Sequence, residues 1–237
     1  MKILGIDASG MVASVAIVED GIVIGEYSTN FKKTHSQTLL PMLEEVKKMI
    51  SLDLQTIDAI AVAAGPGSFT GLRIGSATAK GLGLALDKPI VSISTIEALA
   101  YNLWGNAADV CPLMDARRNQ TYTGVYRFED DDMVCVVEPC AVDLHEIIEK
   151  INAEGRPVTF LGDGVPVFKE QIEKECNVPF AFAPAHMNRQ RAAALCARAE
   201  AYVRAGKTQT AAEHRPEYLR LSQAERERME AQKGGEA

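Results

Sequence analysis

The chain has 237 residues and a formal net charge of −7, with 24% charged and 47% hydrophobic residues. This composition fits a globular protein of one large or two small domains. The acidic balance argues against an autonomous nucleic-acid-binding protein, and no apolar run approaches the length of a membrane span. The five cysteines form no C-x-x-C pair, which predicts reduced thiols and a cytoplasmic protein.

The first hundred residues predict a mixed β-sheet with helices. Apolar runs of strand length alternate with segments of helical periodicity, and a hairpin turn is predicted at Glu19-Asp20-Gly21. The predicted strands cover residues 3–6, 13–18, 22–27, 59–64 and 89–93, and the predicted helices cover residues 35–50, 71–86 and 95–103.

A glycine-rich loop, G-P-G-S-F-T-G-L-R-I-G at residues 65–75, joins a strand to a helix. Such a helix start presents free backbone N–H groups, which suit an anion. A P-loop needs lysine after its last glycine, but Gly71 is followed by Leu72. The dinucleotide fingerprint needs glycine where Thr70 stands. The loop is therefore not predicted to bind phosphate.

The helix after this loop carries two rows of small residues at four-residue spacing. One row is Gly71, Gly75, Ala79 and Gly83. The other is Ala77, Gly81 and Ala85. Each interior glycine costs about 1 kcal/mol relative to alanine, so the rows predict a close backbone approach. Packing on the domain's own sheet and contact with another subunit both remain open.

The second half of the chain repeats the pattern of the first. Residues 110–116 again give an apolar strand followed by Asp-Ala, and a hairpin with an acidic turn at 129–132 follows. Helices are predicted at 144–151, 165–176 and 189–205, and a strand at 158–161. The repeat predicts an internal duplication, with a first domain at 1–104, a second at 105–221 and a polar, mobile tail at 222–237.

Two tandem units of this type resemble the superfamily of actin, sugar kinases and heat-shock ATPases. The resemblance implies two mixed-sheet α/β domains, the second one reduced. In that superfamily aspartates at the first turns contact metal-bound phosphates, which implies phosphate contacts at Asp7, Ser9 and Asp115. Asp163, which follows the strand at 158–161, stands at a further position that corresponds to a phosphate-contacting turn of the superfamily. The alternative for each aspartate is a turn residue that caps a neighbouring backbone N–H.

A closer resemblance rests on the glycine loop, on I-D-A-S at 6–9, on H-S-Q-T-L-L-P at 35–41 and on R-P-E-Y-L-R at 215–220. The chain resembles the bacterial TsaB (YeaZ) family over residues 1–221. The family implies a role in forming threonylcarbamoyladenosine on tRNA, at the adenosine next to the anticodon. TsaB acts there as a partner of the catalytic paralogue TsaD and of the ATPase TsaE.

The TsaD family has a His-x-Glu-Gly-His motif that binds the catalytic metal, since two imidazoles four residues apart on a helix share one ion. The matching run here is Thr95-Ile96-Glu97-Ala98-Leu99. Threonine and leucine do not replace two imidazoles, so no metal site and no catalytic residue are predicted. An actin-like ATPase or kinase and a glycoprotease-like metallopeptidase remain the alternative functions.

The resulting hypothesis is a non-catalytic subunit whose helices at 35–50 and 71–86 pack against TsaD or a second copy. We expect partners homologous to TsaD and TsaE, a homodimer when the chain is alone, tRNA contact only through the complex, and no membrane partner. No cofactor is predicted to bind directly, and ATP or ADP is left open at an interface with partners. The predicted interface residues are His35, Leu39, Leu40, Met42, Leu43, Gly71, Leu72, Gly75, Ala79 and Gly83.

Overall fold

The computed structural model describes residues 1–130 and 132–219, which form two five-stranded sheets with helices. No helix in these two ranges is long and apolar enough to cross a membrane. The predicted tail at 222–237 lies outside the described residues. In the first unit the strands are β1 (Lys2–Asp7), β2 (Val12–Glu19), β3 (Ile22–Asn30), β4 (Ala59–Gly65) and β5 (Ile90–Ser94), and the helices are α1 (His35–Met49), α2 (Phe69–Leu86) and α3 (Thr95–Tyr101).

The first sheet has the strand order β3-β2-β1-β4-β5. The strands β1, β2 and β3 pair antiparallel, as hairpin-connected strands do, and β4 and β5 add in parallel through the helical crossovers. The two central strands are buried along nearly their whole length, in keeping with their continuous apolar runs. The sheet therefore places the carboxyl ends of β1, β4 and β5 at one edge.

The second unit repeats the first, element by element. Its sheet order is β8-β7-β6-β9-β10, the same order as in the first sheet, and it too combines an antiparallel with a parallel part. This confirms the predicted duplication and the fold class of two tandem α/β units. Its elements are β6 (Asp109–Asp115), β7 (Gln120–Glu129), β8 (Asp132–Asp143), α4 (Leu144–Glu154), β9 (Val158–Leu161), α5 (Val165–Glu175), β10 (Phe180–Phe182) and α6 (Ala192–Arg204).

The last helix of each unit packs on the sheet of the other unit. Ile96 and Leu99 of α3 lie in an apolar cluster with residues of β6 and β7. Leu195 and Cys196 of α6 lie in a cluster with residues of β1, β2, β4 and β5. The approach is close, because a Cβ on Gly5 of β1 would lie 2.7 Å from the carbonyl oxygen of Ala192.

The exchange of helices joins the two predicted domains, whose boundaries at 1–104 and 105–221 stay a prediction. The helix α6 belongs to the second segment but covers the first sheet. A further segment, residues 207–219, also returns to the first unit, and we name it the strap. The pattern of the sequence marks α6 as a helix but carries no signal for the sheet it covers, because its partners lie far away along the chain.

Hydrogen bonds along its length fasten the strap to the first unit. Gln209 and Ile90 exchange two backbone hydrogen bonds of 2.8 Å. The ring nitrogens of His214 lie 2.7 Å from Ser92 Oγ and 2.9 Å from Ser76 Oγ, and the imidazole is fully buried. The backbone N–H of Glu217 donates to the carbonyl oxygen of Ala64 at 2.7 Å, so the strap ends beside the glycine loop.

Candidate functional site

The first row of small residues on α2 faces the chain's own sheet. A Cβ on Gly71 would lie 2.0 Å from the carbonyl oxygen of Ala8, and a Cβ on Gly83 would lie 3.1 Å from that of Lys88. Gly75 and Ala79 are buried on the same side. The close approach predicted for this row therefore exists, but it is made within the first unit.

Most of the predicted interface residues lie in the core. Leu39, Met42 and Leu43 of α1 and Leu72 of α2 are buried, like the inner row of α2. They have no area to offer to a partner, and the predicted interface is corrected at Leu39, Met42, Leu43, Leu72, Gly71, Gly75, Ala79 and Gly83. Their helical spacing is the same for a core stripe and for an interface stripe, which explains the error.

Two predicted interface residues lie elsewhere. Leu40 is 54% exposed on the outer side of α1. His35 is half-buried at the start of α1, and its Nε2 lies 2.8 Å from the carbonyl oxygen of Gly10. His35 therefore holds the turn between β1 and β2, whereas Leu40 remains a candidate for contact with a partner.

The second row of small residues on α2 points outward. Ala77, Gly81 and Ala85 are exposed, and a Cβ built on Gly81 would meet no atom within 4 Å. Leu84, on the same helix, is 69% exposed. We name the residues Leu40, Ala77, Gly81, Leu84 and Ala85 the outer helical face. It combines exposed apolar side chains with backbone that another helix can approach closely.

The residues predicted to contact phosphate close their own turns. Asp7 is buried, and its Oδ1 accepts hydrogen bonds from the backbone N–H of Ser9 at 2.9 Å and from Ser9 Oγ at 2.6 Å. Burial raises the pKa of Asp7, against the lowering effect of these hydrogen bonds. Asp115 is exposed and accepts from the backbone N–H of Arg117 at 2.7 Å. Both aspartates thus act as turn caps, and the phosphate contacts remain a prediction.

Asp163 follows β9 in the second unit and differs from these two aspartates. Its Oδ1 is buried without a hydrogen-bond partner, and burial raises the pKa of its carboxyl group. Arg189 acts in the opposite direction on that pKa. Asp163 therefore differs from Asp7 and Asp115 in having a buried carboxylate oxygen that closes no hydrogen bond.

The run that matches the metal motif does not build a metal site. Leu99 is enclosed by apolar side chains, and Thr95 is fully buried. Glu97 binds α6 instead, where its carboxylate accepts from Arg198 Nε and from Tyr202 Oη, the latter at 2.9 Å. Within residues 1–130 and 132–219, no cluster of three or more His, Cys, Asp or Glu side chains is arranged to hold a metal ion.

Glu97 also lines a cavity of about 450 Å³ between the two units. Its wall combines Arg198 and Tyr202 of α6, Tyr126 and Glu138 of the second sheet, and Glu217 of the strap. Sequence reasoning missed this cavity. The four-residue spacing of Arg198 and Tyr202 on α6 was the one available signal, and it does not reveal Glu97 as their partner.

The family model described as TsaD, tRNA N6-adenosine threonylcarbamoyltransferase, matches residues 23–228. The tRNA threonylcarbamoyladenosine biosynthesis protein TsaB of Bacillus subtilis is 36% identical, covering 98% of this chain and 100% of its own. TsaB of Escherichia coli is 32% identical over 65% of this chain and 69% of its own.

A solved structure of YeaZ from Pseudomonas aeruginosa superposes with a TM-score of 0.80 at 26% identity, covering 92% of this chain and 99% of that one. A second Pseudomonas aeruginosa structure, an uncharacterized protein with similarity to peptidase YEAZ, gives a TM-score of 0.81. The full-length match to TsaB and the shared fold agree with the glycine loop and the duplicated sheets. The chain therefore belongs to the TsaB (YeaZ) family of tRNA threonylcarbamoyladenosine biosynthesis proteins.

Proposed function

We propose that this chain serves tRNA threonylcarbamoyladenosine formation as a non-catalytic subunit, which binds a TsaD homologue through the outer helical face. The single observation that carries this proposal is the exposed row Ala77, Gly81 and Ala85 on α2, together with the exposed leucines Leu84 on α2 and Leu40 on α1. Small residues let two helix backbones approach closely, and exposed leucines supply the apolar area that an interface core buries.

The absence of a catalytic role is inferred from the residues that occupy the metal motif. The side chain of Leu99 has no ligand atom, and Thr95 offers only a hydroxyl group where an imidazole is needed. Glu97 is held by Arg198 and Tyr202. Asp7 and Asp115 each close their own turn, so within the described part of the chain these two aspartates do not specifically favour an autonomous ATPase, kinase or metallopeptidase.

A homologue of TsaE is the second proposed partner, and tRNA is proposed to reach this chain only through the complex. A second copy can use the same outer helical face, because a two-fold contact places identical surfaces together. Homodimer and TsaD complex therefore compete for one surface, and ATP or ADP is proposed to bind only where the partners meet.

The test is the substitution Ala77→Arg, which places a long charged side chain on the outer helical face. We expect the affinity for the TsaD homologue to fall at least about tenfold, because a buried unpaired charge opposes association. Ala201→Arg is the matched control, since Ala201 is an exposed alanine on α6, away from α1 and α2. Isothermal calorimetry measures the affinity, and thermal unfolding checks that both variants fold.

Reconstitution measures the function directly. The TsaD homologue, the TsaE homologue, the threonylcarbamoyl donor and tRNA are combined with and without this chain, and modified adenosine is counted by mass spectrometry. We expect modification to depend on the chain and to be lost with Ala77→Arg but not with Ala201→Arg. Full modification without the chain, or unchanged TsaD binding by Ala77→Arg, would contradict the proposal.

A further inference from the structure

A second cavity, of about 460 Å³, lies at the edge of the first sheet and apart from the outer helical face. Its wall brings together the end of β3 and the segment that precedes α6, and we name it the β3 cavity. Thr29 and Asn30 come from β3, and Arg189, Gln190 and Arg191 from the other segment. None of the residues predicted to contact phosphate, Asp7, Ser9 or Asp115, belongs to this wall.

The charges in the β3 cavity leave one cation without a counter-ion. Glu26 is the carboxylate in the wall, and it accepts from Arg191 Nε at 3.1 Å and from the backbone N–H of Ala193 at 3.0 Å. Glu26 and Arg191 therefore neutralise each other. Arg189 donates from Nη1 to the carbonyl oxygens of Gly162 and Asn188, at 3.0 and 2.8 Å.

These carbonyl groups orient Arg189 but do not cancel its charge. Among the residues that the structure describes, no carboxylate lies within 4.0 Å of its guanidinium group. Asp163 is near enough for its pKa to respond to Arg189, but burial acts more strongly on that carboxyl group and raises its pKa. The wall itself contains the two arginines Arg189 and Arg191 and the single carboxylate Glu26, so it carries a net positive charge, and the side chain of Arg189 is held in place.

Neutral hydrogen-bond donors accompany this charge. The side chain of Gln190 is 2% exposed, and its Nε2 has no hydrogen-bond partner in the described part of the chain. A buried N–H without an acceptor costs about 1–3 kcal/mol, so an acceptor that reached Gln190 would remove this cost. The hydroxyl group of Thr29 and the side-chain amide of Asn30 extend the polar wall.

From these contacts we propose that the β3 cavity binds a phosphate-type oxyanion, with Arg189 as its charged contact and Asn30 and Thr29 as neutral donors. The planar fork of a guanidinium group matches the oxygens of phosphate, and a fixed orientation lowers the entropy lost on binding. The phosphate is either the terminal group of a small molecule or a diester of an RNA backbone, since both present the same oxygens.

The test is a titration of the full chain with inorganic phosphate at low ionic strength, followed by NMR shifts of the backbone amides of residues 28–30 and 189–191. We expect saturable shifts confined to the β3 cavity. Arg189→Gln removes the charge, and we expect at least about tenfold weaker binding, because hydrogen bonds to charged groups are the strong ones. Arg204→Gln is the matched control, since Arg204 is exposed at the far end of α6.

Because Arg189 also donates a hydrogen bond to the carbonyl oxygen of Gly162, Arg189→Gln could weaken binding by destabilising the fold. A second variant separates these two effects. Asn30→Asp changes an exposed side chain without a change of volume and adds a negative charge to the wall. We expect it to abolish the shifts while thermal unfolding stays the same. Absence of saturable binding by the unaltered chain, or equal binding by Asn30→Asp and Arg204→Gln, would overturn the proposal.

Two further probes identify the source of the phosphate. Adenosine monophosphate carries a terminal phosphate, and a dinucleoside monophosphate carries only a diester. Binding of the first alone assigns the β3 cavity to small phosphorylated molecules, and binding of both assigns it to an RNA backbone as well. Competition with inorganic phosphate is expected in either case, and binding without competition would place the ligand elsewhere and contradict the proposal.

Discussion

The two rows of small residues on α2 have nearly the same composition and opposite surroundings. The inner row, Gly71 to Gly83, is buried against the first unit, whereas a side chain added at Gly81 in the outer row meets nothing within 4 Å. Equal spacing therefore serves two purposes on one helix. A row of small residues therefore indicates that another backbone can approach closely. Whether that backbone belongs to the same unit or to a partner depends on the burial of the row in the structure.

The largest expected effect is at the inner row. Gly71→Val places a branched side chain where the carbonyl oxygen of Ala8 lies 2.0 Å from the Cβ position, and backbone does not yield as a flexible side chain does. We expect a loss of about 3 kcal/mol in the free energy of unfolding, measured with urea. Ala77→Val on the outer row is the control, with an expected change within about 0.5 kcal/mol. An equal loss of unfolding free energy in Gly71→Val and Ala77→Val would contradict the distinction between the inner and the outer row.

The next largest effect concerns the strap, which fastens the inner side of α2 through Ser76. His214→Asn breaks the two hydrogen bonds of a fully buried imidazole and leaves hydroxyl groups behind. We expect a loss of about 2 kcal/mol at pH 7.5, measured by urea unfolding. A loss below about 0.5 kcal/mol would show that the strap contributes little to holding α2.

The same histidine predicts a pH dependence. Burial, assisted by the positive charge of Lys80, lowers the pKa of His214 below its usual 6.5. The unfolded chain therefore binds more protons than the folded one as the pH falls below 6.5, and stability falls by up to about 1.4 kcal/mol per pH unit until the lowered pKa is reached. We expect the stability difference between the unaltered chain and His214→Asn to shrink from pH 7.5 to 5.5. A constant difference would contradict this assignment.

The smallest effect is at the outer row and has the opposite sign. Gly81→Ala adds a methyl group that touches nothing and removes the helix penalty of glycine. We expect the chain to gain about 1 kcal/mol in the free energy of unfolding. A loss of stability would show that the outer row is already covered in the isolated chain, as in a homodimer, and repeating the measurement at lower protein concentration separates these cases.

The sequence predicts local structure and the duplication more reliably than the contacts between distant segments. The predicted helix at 35–50 agrees with α1, and the repeated strand-Asp pattern agrees with the two equal sheet orders. The three-residue strand β10 is not predicted, because a strand so short carries no period of its own.

The sequence predicted which helices would form the candidate interface, but not which of their side chains would be exposed. Periodicity identifies α1 and α2 as special, yet the burial of Leu39 and Leu72 and the exposure of Ala77 depend on where the sheet lies. Glu97 was visible as a residue of the metal motif, but its contact with Arg198 joins segments about a hundred residues apart in the chain. The β3 cavity depends on a similarly distant meeting of Asn30 and Arg189.

The exchange of α3 and α6 between the units also bears on how the chain unfolds. A cut after residue 104 would leave the first sheet without Leu195 and Cys196, and the second sheet would lose the covering Leu99. Each half would then expose one apolar face of its sheet to water, at a cost that a small domain does not overcome. We therefore expect the two units to unfold as one cooperative unit, in which neither half is stable by itself.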